Sequence, residues 1–301
     1  MVAGRLRAGL TALLATLAVL GAAAPAGTFA RGTLEGRPYR VWVPTRLAPE
    51  RPLVMALHGC WQTPEDFALG TRLNEAAERR GLVVVYPAQG RRDHPYRCWN
   101  WYEPTEQTAT GVETAQILAI AGRVQAERGV REGRMLVVGF SAGAWMAVNV
   151  ACAAPQSVAG VGTMAGGPYR CAAGPEAAIR CMRDSGRDAA RAATACAGGA
   201  APGWRVSLWH GALDPVVSQA NLTALETMFG RLLGVSAGAT TTDDGAVRAV
   251  YRSPRGAAVL ETWLVPGMGH AWSGGDARGS HTWPPGPSAT ERMLDFLLGV
   301  R

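Results

Sequence analysis

From residue 39 onward the chain switches between two kinds of hydrophobic pattern. Tyr39-Arg40-Val41-Trp42-Val43-Pro44 alternates as a half-buried strand does, and Leu53-Val54-Met55-Ala56-Leu57 is a short continuous apolar run of the kind buried on both faces. Over 67–80, Leu69, Leu73, Ala76 and Ala77 fall at helical spacing and Gly81 supplies a stop, which predicts a helix. The cycle repeats with strands over 82–86, 135–138 and 158–164 and helices over 111–128 and 142–152. This alternation predicts an α/β fold, a mostly parallel sheet with helices on both faces. Between 166 and 203 the periodicity gives way to Gly, Ala, Arg and three cysteines, read as a Cys-containing insertion after the sixth strand, stapled by disulfides and placed to shape a cleft. The grammar resumes with a strand over 206–209, a helix over 221–233, strands near 247–251 and 259–265, and a closing helix over 288–298.

The first residues depart from this grammar. Arg5 and Arg7 precede the apolar run 10–20, followed by Ala24-Pro25-Ala26, the three regions of a secretory leader cleaved after Ala26. An uncleaved anchor is the alternative, but the run is shorter than the roughly 20 residues a membrane-crossing helix needs, so no stable membrane insertion is expected. The remainder, 27–301, reads as one catalytic domain with no internal repeat. All six cysteines (Cys60, Cys98, Cys152, Cys171, Cys181, Cys196) follow the leader, an even number that suits disulfides in an exported protein, extracellular or periplasmic. With no C-x-x-C and no histidine near Cys171 or Cys181, no metal site is expected. The formal charge is +7, or +5 once Arg5 and Arg7 are removed, and every cation is an arginine scattered among acids. No nucleic-acid surface is indicated, and the oligomeric state stays open.

The chemistry concentrates at strand ends. Gly139-Phe140-Ser141-Ala142-Gly143 lies between a predicted buried strand and a predicted helix, the context in which G-x-S-x-G forms the nucleophile elbow of an α/β-hydrolase fold. A serine hydroxyl is a weak nucleophile at neutral pH and needs a histidine base with an acid to orient it, in the chain order Ser, Asp, His. Asp214 stands in the turn Ala212-Leu213-Asp214-Pro215 past one late strand, and His270 in the glycine-rich loop past the next, with Asp276 as the reserve acid. His58, His94, His210 and His281 fit the base position less well. Acyl transfer also needs two N–H donors for the oxyanion; one is expected from Ala142, the other from Cys60 in the His58-Gly59-Cys60-Trp61 turn. Trp61, Trp99, Trp101 and Trp272, with Trp283, fall in loops at that end and are expected to line the substrate cleft, although loop aromatics also pack to hold loops down.

Five blocks, taken together and in order, resemble the extracellular poly(3-hydroxybutyrate) depolymerase family of esterases. They are Arg51-Pro52-Leu53-Val54-Met55-Ala56-Leu57-His58-Gly59-Cys60, Cys98-Trp99-Asn100-Trp101, the elbow from Gly139 to Ala144, His210-Gly211-Ala212-Leu213-Asp214-Pro215-Val216-Val217, and Gly269-His270-Ala271-Trp272-Ser273-Gly274-Gly275. The resemblance implies Ser141, Asp214 and His270 as the triad, the Cys60 amide as second oxyanion donor, and a bridge at Cys60 with Cys98 as the preferred partner. It extends to feruloyl and acetyl xylan esterases. Family members that digest solid polyester carry a linker and a polymer-binding domain, whereas this chain stops soon after the last predicted helix, so soluble or amorphous esters are the expected substrates. The expected reaction is hydrolysis of polyhydroxybutyrate-type polyesters or their oligomers through an acyl-enzyme, with no metal or organic cofactor implied. The alternatives are a feruloyl or acetyl xylan esterase acting on plant polysaccharide esters, a peptidase, and, in another class, a non-catalytic secreted binding protein on a hydrolase fold.

Overall fold

A computed structural model describes Met1 and residues 27–131, 133–184, 189–199, 203–235 and 238–300. The predicted leader, Met1 apart, lies outside the described residues. In chain order the elements are β1 (Thr28–Leu34), β2 (Arg37–Val43), β3 (Val54–Leu57), α1 (Pro64–Thr71), α2 (Leu73–Arg80), β4 (Val84–Pro87), α3 (Val112–Arg128), β5 (Met135–Phe140), α4 (Ala142–Ala153) and β6 (Val158–Met164). There follow α5 (Pro175–Arg183), α6 (Ala189–Ala195), β7 (Arg205–Gly211), α7 (Ala220–Leu233), β8 (Ala239–Asp243), β9 (Ala246–Arg252), β10 (Ala258–Val265), the short pair β11 (Trp272–Ser273) and β12 (Thr282–Trp283), and α8 (Ala289–Leu298). Ten strands form one sheet in the order β1-β2-β4-β3-β5-β6-β7-β10-β9-β8, parallel from β4 to β10 and antiparallel at both margins.

The parallel strands are the continuous apolar runs of the sequence, because each is covered on both faces. Along β5, Met135 and Val137 enter one core with Ile117 of α3, Trp145 of α4 and Phe229 of α7. The alternate residues Leu136, Val138 and Phe140 enter a second core with Phe67 of α1, Leu73 of α2 and Met293 of α8. This is the predicted α/β architecture. The Cys-containing insertion follows β6; Cys171–Cys181 staples it internally and Cys152–Cys196 ties it to the end of α4.

Two details differ from the sequence expectation. The single helix over 67–80 is two, α1 and α2, separated by Arg72 in the left-handed region (φ 57°, ψ 27°). Tertiary donors cause the break: the Asp276 amide donates to the Gly70 carbonyl at 2.8 Å and the Thr290 hydroxyl donates to the Thr71 carbonyl. The edge strands β1 and β8 were not expected. Each is the outer half of a hairpin, the second closing on Asp244-Gly245 with φ of 50° and 77°, the signature of a two-residue primed turn.

Candidate active site

Ser141 occupies the turn between β5 and α4 with φ 53° and ψ −122°, a region that residues other than glycine rarely adopt. The turn is held from both sides: the Ser141 amide donates to the Met164 carbonyl of β6 at 2.9 Å, and the Ser141 carbonyl accepts from the amides of Ala144 and Trp145 at 2.8 and 3.2 Å. A Cβ on Gly143 would lie deep inside contact distance of the Leu57 and His58 carbonyls, so only glycine lets α4 start this close to β3.

His270 follows β10 and Asp214 follows β7, and these strands are neighbours. Their loops are laced together by the Ala212 amide on the Val265 carbonyl and the Leu213 amide on the Met268 carbonyl, both at 2.9 Å. The Asp214 carboxylate takes Val216 and Val217 amides on Oδ1 at 2.8 and 2.9 Å and faces His270 Nδ1 with Oδ2 at 2.7 Å. Burial pushes the Asp214 carboxyl up, but the hydrogen bond and charge of His270 and the two amides outweigh it and hold the group below the usual range. An ionised carboxylate can only accept, so Nδ1 carries the ring proton and Nε2 is left to accept from the Ser141 hydroxyl, 2.9 Å away. The arrangement can take the serine proton onto His270 and stabilise the resulting imidazolium through Asp214.

The other candidate acid and histidines make no hydrogen bond to these three side chains among the described residues. Asp276 pairs with Arg278 at 2.8 Å and Arg72 at 3.5 Å, and hydrogen bonds from Arg278 hold its carboxyl well below the usual range. His210 donates from Nε2 to the Val217 carbonyl at 3.0 Å, 3.8 Å from Asp214, and burial lowers its pKa. His281, with φ 53°, places its ring 6.4 Å from that of His270.

The Cys60 and Ala142 amides donate no hydrogen bond to any described residue, leaving both available to a ligand. β3 lies beside β5, with Leu57 paired to Gly139, so the turn that carries Cys60 leaves the sheet next to the Ser141 elbow. That turn is fixed by Gln89 and Gln62, which sequence reasoning did not single out, and by His58 and Trp99 in roles it did not assign. The Gln89 amide donates to His58 Nε2 at 3.0 Å, which forces the proton onto Nδ1; Nδ1 donates to the Gly59 carbonyl at 2.8 Å. Peptide planarity then aims the Cys60 N–H away from that carbonyl. Burial lowers the His58 pKa to about 4, so the ring stays neutral. The preceding peptide is pinned likewise: the Trp99 indole donates to the His58 carbonyl at 3.1 Å, and the Gly59 amide donates to Gln62 Oε1 at 2.9 Å. The disulfide Cys60–Cys98, the pairing the family resemblance implied, joins this turn to the segment carrying Trp99.

Three of the four expected cleft tryptophans are buried instead. Trp99 is 0% exposed beneath the Cys60 turn, Trp101 is 5% exposed and stacked on Trp145 at 4.5 Å, and Trp272 is 2% exposed with its indole donating to Thr290. They hold loops down, and of the four only Trp61, 55% exposed and packed on Tyr96 at 4.8 Å, presents a face to solvent. Among the described residues no group of three or more His, Cys, Asp or Glu side chains could hold a metal ion, and no helix is long and apolar enough to cross a membrane.

The chain is 32% identical over 237 residues to poly(3-hydroxyalkanoate) depolymerase C of Paucimonas lemoignei, covering 76% of this chain and 56% of that protein. It is 24% identical over 245 residues to feruloyl esterase B of Talaromyces funiculosus, covering 76% of this chain and 68% of that one. Among solved structures, an acetyl xylan esterase from Aspergillus awamori shares the fold with a TM-score of 0.70 at 18% identity, covering 81% of this chain and 94% of its own. The family described as Esterase PHB depolymerase matches residues 37–252, a span that contains the Cys60 turn, the Ser141 elbow and Asp214. On that match and the depolymerase relative together, the chain belongs to the esterase PHB depolymerase family.

Proposed function

We propose that the protein is an exported serine esterase that hydrolyses polyhydroxybutyrate-type esters, oligomers included, with Ser141 as nucleophile, His270 as base and Asp214 as the acid that orients it. The observation that carries this reading is the hydrogen-bonded chain from Asp214 through His270 to Ser141, at 2.7 and 2.9 Å, on a strained elbow at the carboxyl end of the sheet. In the reaction His270 Nε2 takes the Ser141 proton as Oγ attacks the ester carbonyl. The Cys60 and Ala142 amides hold the oxyanion, and the imidazolium returns the proton to the departing alcohol. Water, activated by the same histidine, then releases the acid and restores Ser141. Residues 1–26 act as the leader and 27–301 as the catalytic domain, with no metal or organic cofactor in the reaction. Trp61 is the tryptophan that meets substrate.

A second reading, hydrolysis of feruloyl or acetyl esters of plant polysaccharide, is favoured by the relative named feruloyl esterase B and by curated relatives named acetylxylan esterase. The test is release of 3-hydroxybutyrate from amorphous polymer and soluble oligomers, beside release of ferulate and acetate from plant esters, by wild type and Ser141→Ala. Hydroxybutyrate release that falls about a millionfold in the variant supports the first reading. Serine-dependent release from the plant esters alone moves the protein to the second, and activity that survives Ser141→Ala refutes both.

A further inference from the structure

The loops that follow β3 and β4 leave a groove of about 610 Å³ between them, lined by Thr63, Glu65, Gln89, Arg91, Arg92 and Arg97 among others. Both loops leave the carboxyl end of the sheet, as the Ser141 elbow does, and the groove adjoins the turn that carries Cys60. Gln89 in its wall donates to His58; the Arg97 guanidinium reaches the Trp61 carbonyl at 3.5 Å; and Cys98, the next residue, is bonded to Cys60.

Its charge is unbalanced. The two acids of the wall are already engaged, Glu65 by Arg40 and Asp93 by the Gly90 amide at 3.2 Å with Arg37 at 3.9 Å. Arg91, Arg92 and Arg97 pair with no carboxylate among the described residues. Trp61, next to Cys60 in the chain, is exposed with Tyr96 packed on it, and its carbonyl accepts from Arg97 of the groove wall. An ester chain running from the Cys60 turn over Trp61 would meet Arg97 first, and the planar fork of a guanidinium matches a carboxylate.

We propose that this groove is a specificity site for the free carboxylate end of a hydroxyacid oligomer, held by Arg97 with Arg91 and Arg92. The inference rests on the hydroxybutyrate reading above. An ester of hydroxyacid units ends in a carboxylate, and each hydrolysis generates another, so the site favours short chains over polymer interior and makes the products of one cut good substrates for the next. The interaction is electrostatic and partly exposed, so added salt weakens it.

The experiment compares 3-hydroxybutyrate dimer, trimer and tetramer as free acids with the same oligomers capped as methyl esters at that carboxylate. The proteins are wild type, Arg91→Gln/Arg92→Gln and Arg97→Gln, with 4-nitrophenyl butyrate turnover as a measure of intact ester chemistry in each. Wild type is expected to favour the acid of at least one length by about tenfold in kcat/KM, through KM. Both variants and 0.5 M sodium chloride (a concentration of about 0.5 M shortens the screening length to roughly 4 Å) are expected to shrink that ratio toward one. A ratio near one in wild type at every length, or a preference that all the variants retain, overturns the carboxylate site while leaving the hydroxybutyrate reading intact. Turnover of 4-nitrophenyl butyrate with no oligomer cleaved in either form overturns that reading and the site with it.

Discussion

The neutral state of His58 is testable through stability. Burial places its folded pKa at about 4 against 6.5 for a free histidine. Above pH 6.5 neither state binds the proton and the contribution is complete. As pH falls from 6.5 toward 4 the unfolded chain takes up a proton that the folded chain refuses, so stability is lost in that window. With 1.36 kcal/mol per unit, the loss is about 2 kcal/mol at pH 5 and about 3 at pH 4. His58→Gln removes the titration and also disturbs two buried hydrogen bonds, to Gly59 and from Gln89, which costs the variant roughly 1–3 kcal/mol for each bond left unmade at pH 7.5. Urea unfolding of both proteins at 25 °C, from pH 7.5 to 4.5, should therefore show a gap that is constant above pH 6.5 and narrows below it, by about 3 kcal/mol by pH 4 on extrapolation. Other buried histidines such as His210 are present in both proteins and cancel in the difference. A gap that stays constant down to pH 4.5 would mean that His58 titrates alike folded and unfolded, and the locked tautomer that aims the Cys60 amide would be lost as an explanation.

Asp214→Asn offers His270 an amide in place of a carboxylate, which favours the wrong tautomer; kcat is expected to fall about 10⁴-fold with KM little changed, by steady-state kinetics on a soluble ester. A kcat within tenfold of wild type would remove Asp214 from the triad. Gly143→Ala drives a methyl group into the Leu57 and His58 carbonyls, and is expected to cost at least the roughly 1–3 kcal/mol of an overpacked core, read as a lowered denaturation midpoint together with lost activity. Unchanged values of both would show that the approach of α4 to β3 is looser than described.

What could be read in the sequence was local. The apolar runs of β3, β5 and β6 and the small residues around Ser141 carry their own pattern, and placing acid and base past late strands needed only the order of the elements. The break at Arg72 was illegible because its cause, the capture of two carbonyls by Asp276 and Thr290, lies more than 200 residues away in the chain. Strands β1 and β8 were weak for another reason: edge strands bury little, and Ala-Thr-Thr-Thr-Asp shows almost no apolar face, although Glu35-Gly36 and Asp244-Gly245 were available as hairpin signals. Trp99, Trp101 and Trp272 were placed in the right loops but expected to face the cleft, whereas they point inward and only Trp61 of the four is exposed. Sequence position puts an indole in a loop, but whether the loop folds its indole inward depends on a partner such as the His58 carbonyl or the Thr290 hydroxyl.

The burial of these tryptophans changes how the proposed site is understood, because two of the indoles secure backbone next to residues proposed for catalysis. In the order β5-β6-β7-β10, Asp214 and His270 leave adjacent strands, whereas Ser141 leaves a strand three places from β10. At about 4.8 Å per strand His270 must therefore reach roughly 14 Å across the sheet, less what its side chain and loop supply. Only five residues, 266–270, make that crossing, and the chain is fixed again immediately beyond it. The Trp272 amide donates to the His281 carbonyl at 2.7 Å, and its indole is buried against Phe67 and bonded to Thr290. On the other flank of Ser141, Trp99 secures the peptide that precedes the Cys60 turn. If His270 is the base and the Cys60 amide the oxyanion donor, as proposed, Trp272 and Trp99 anchor them, so truncating either should act on kcat for every ester alike, while truncating Trp61 should act on KM and discriminate among chains.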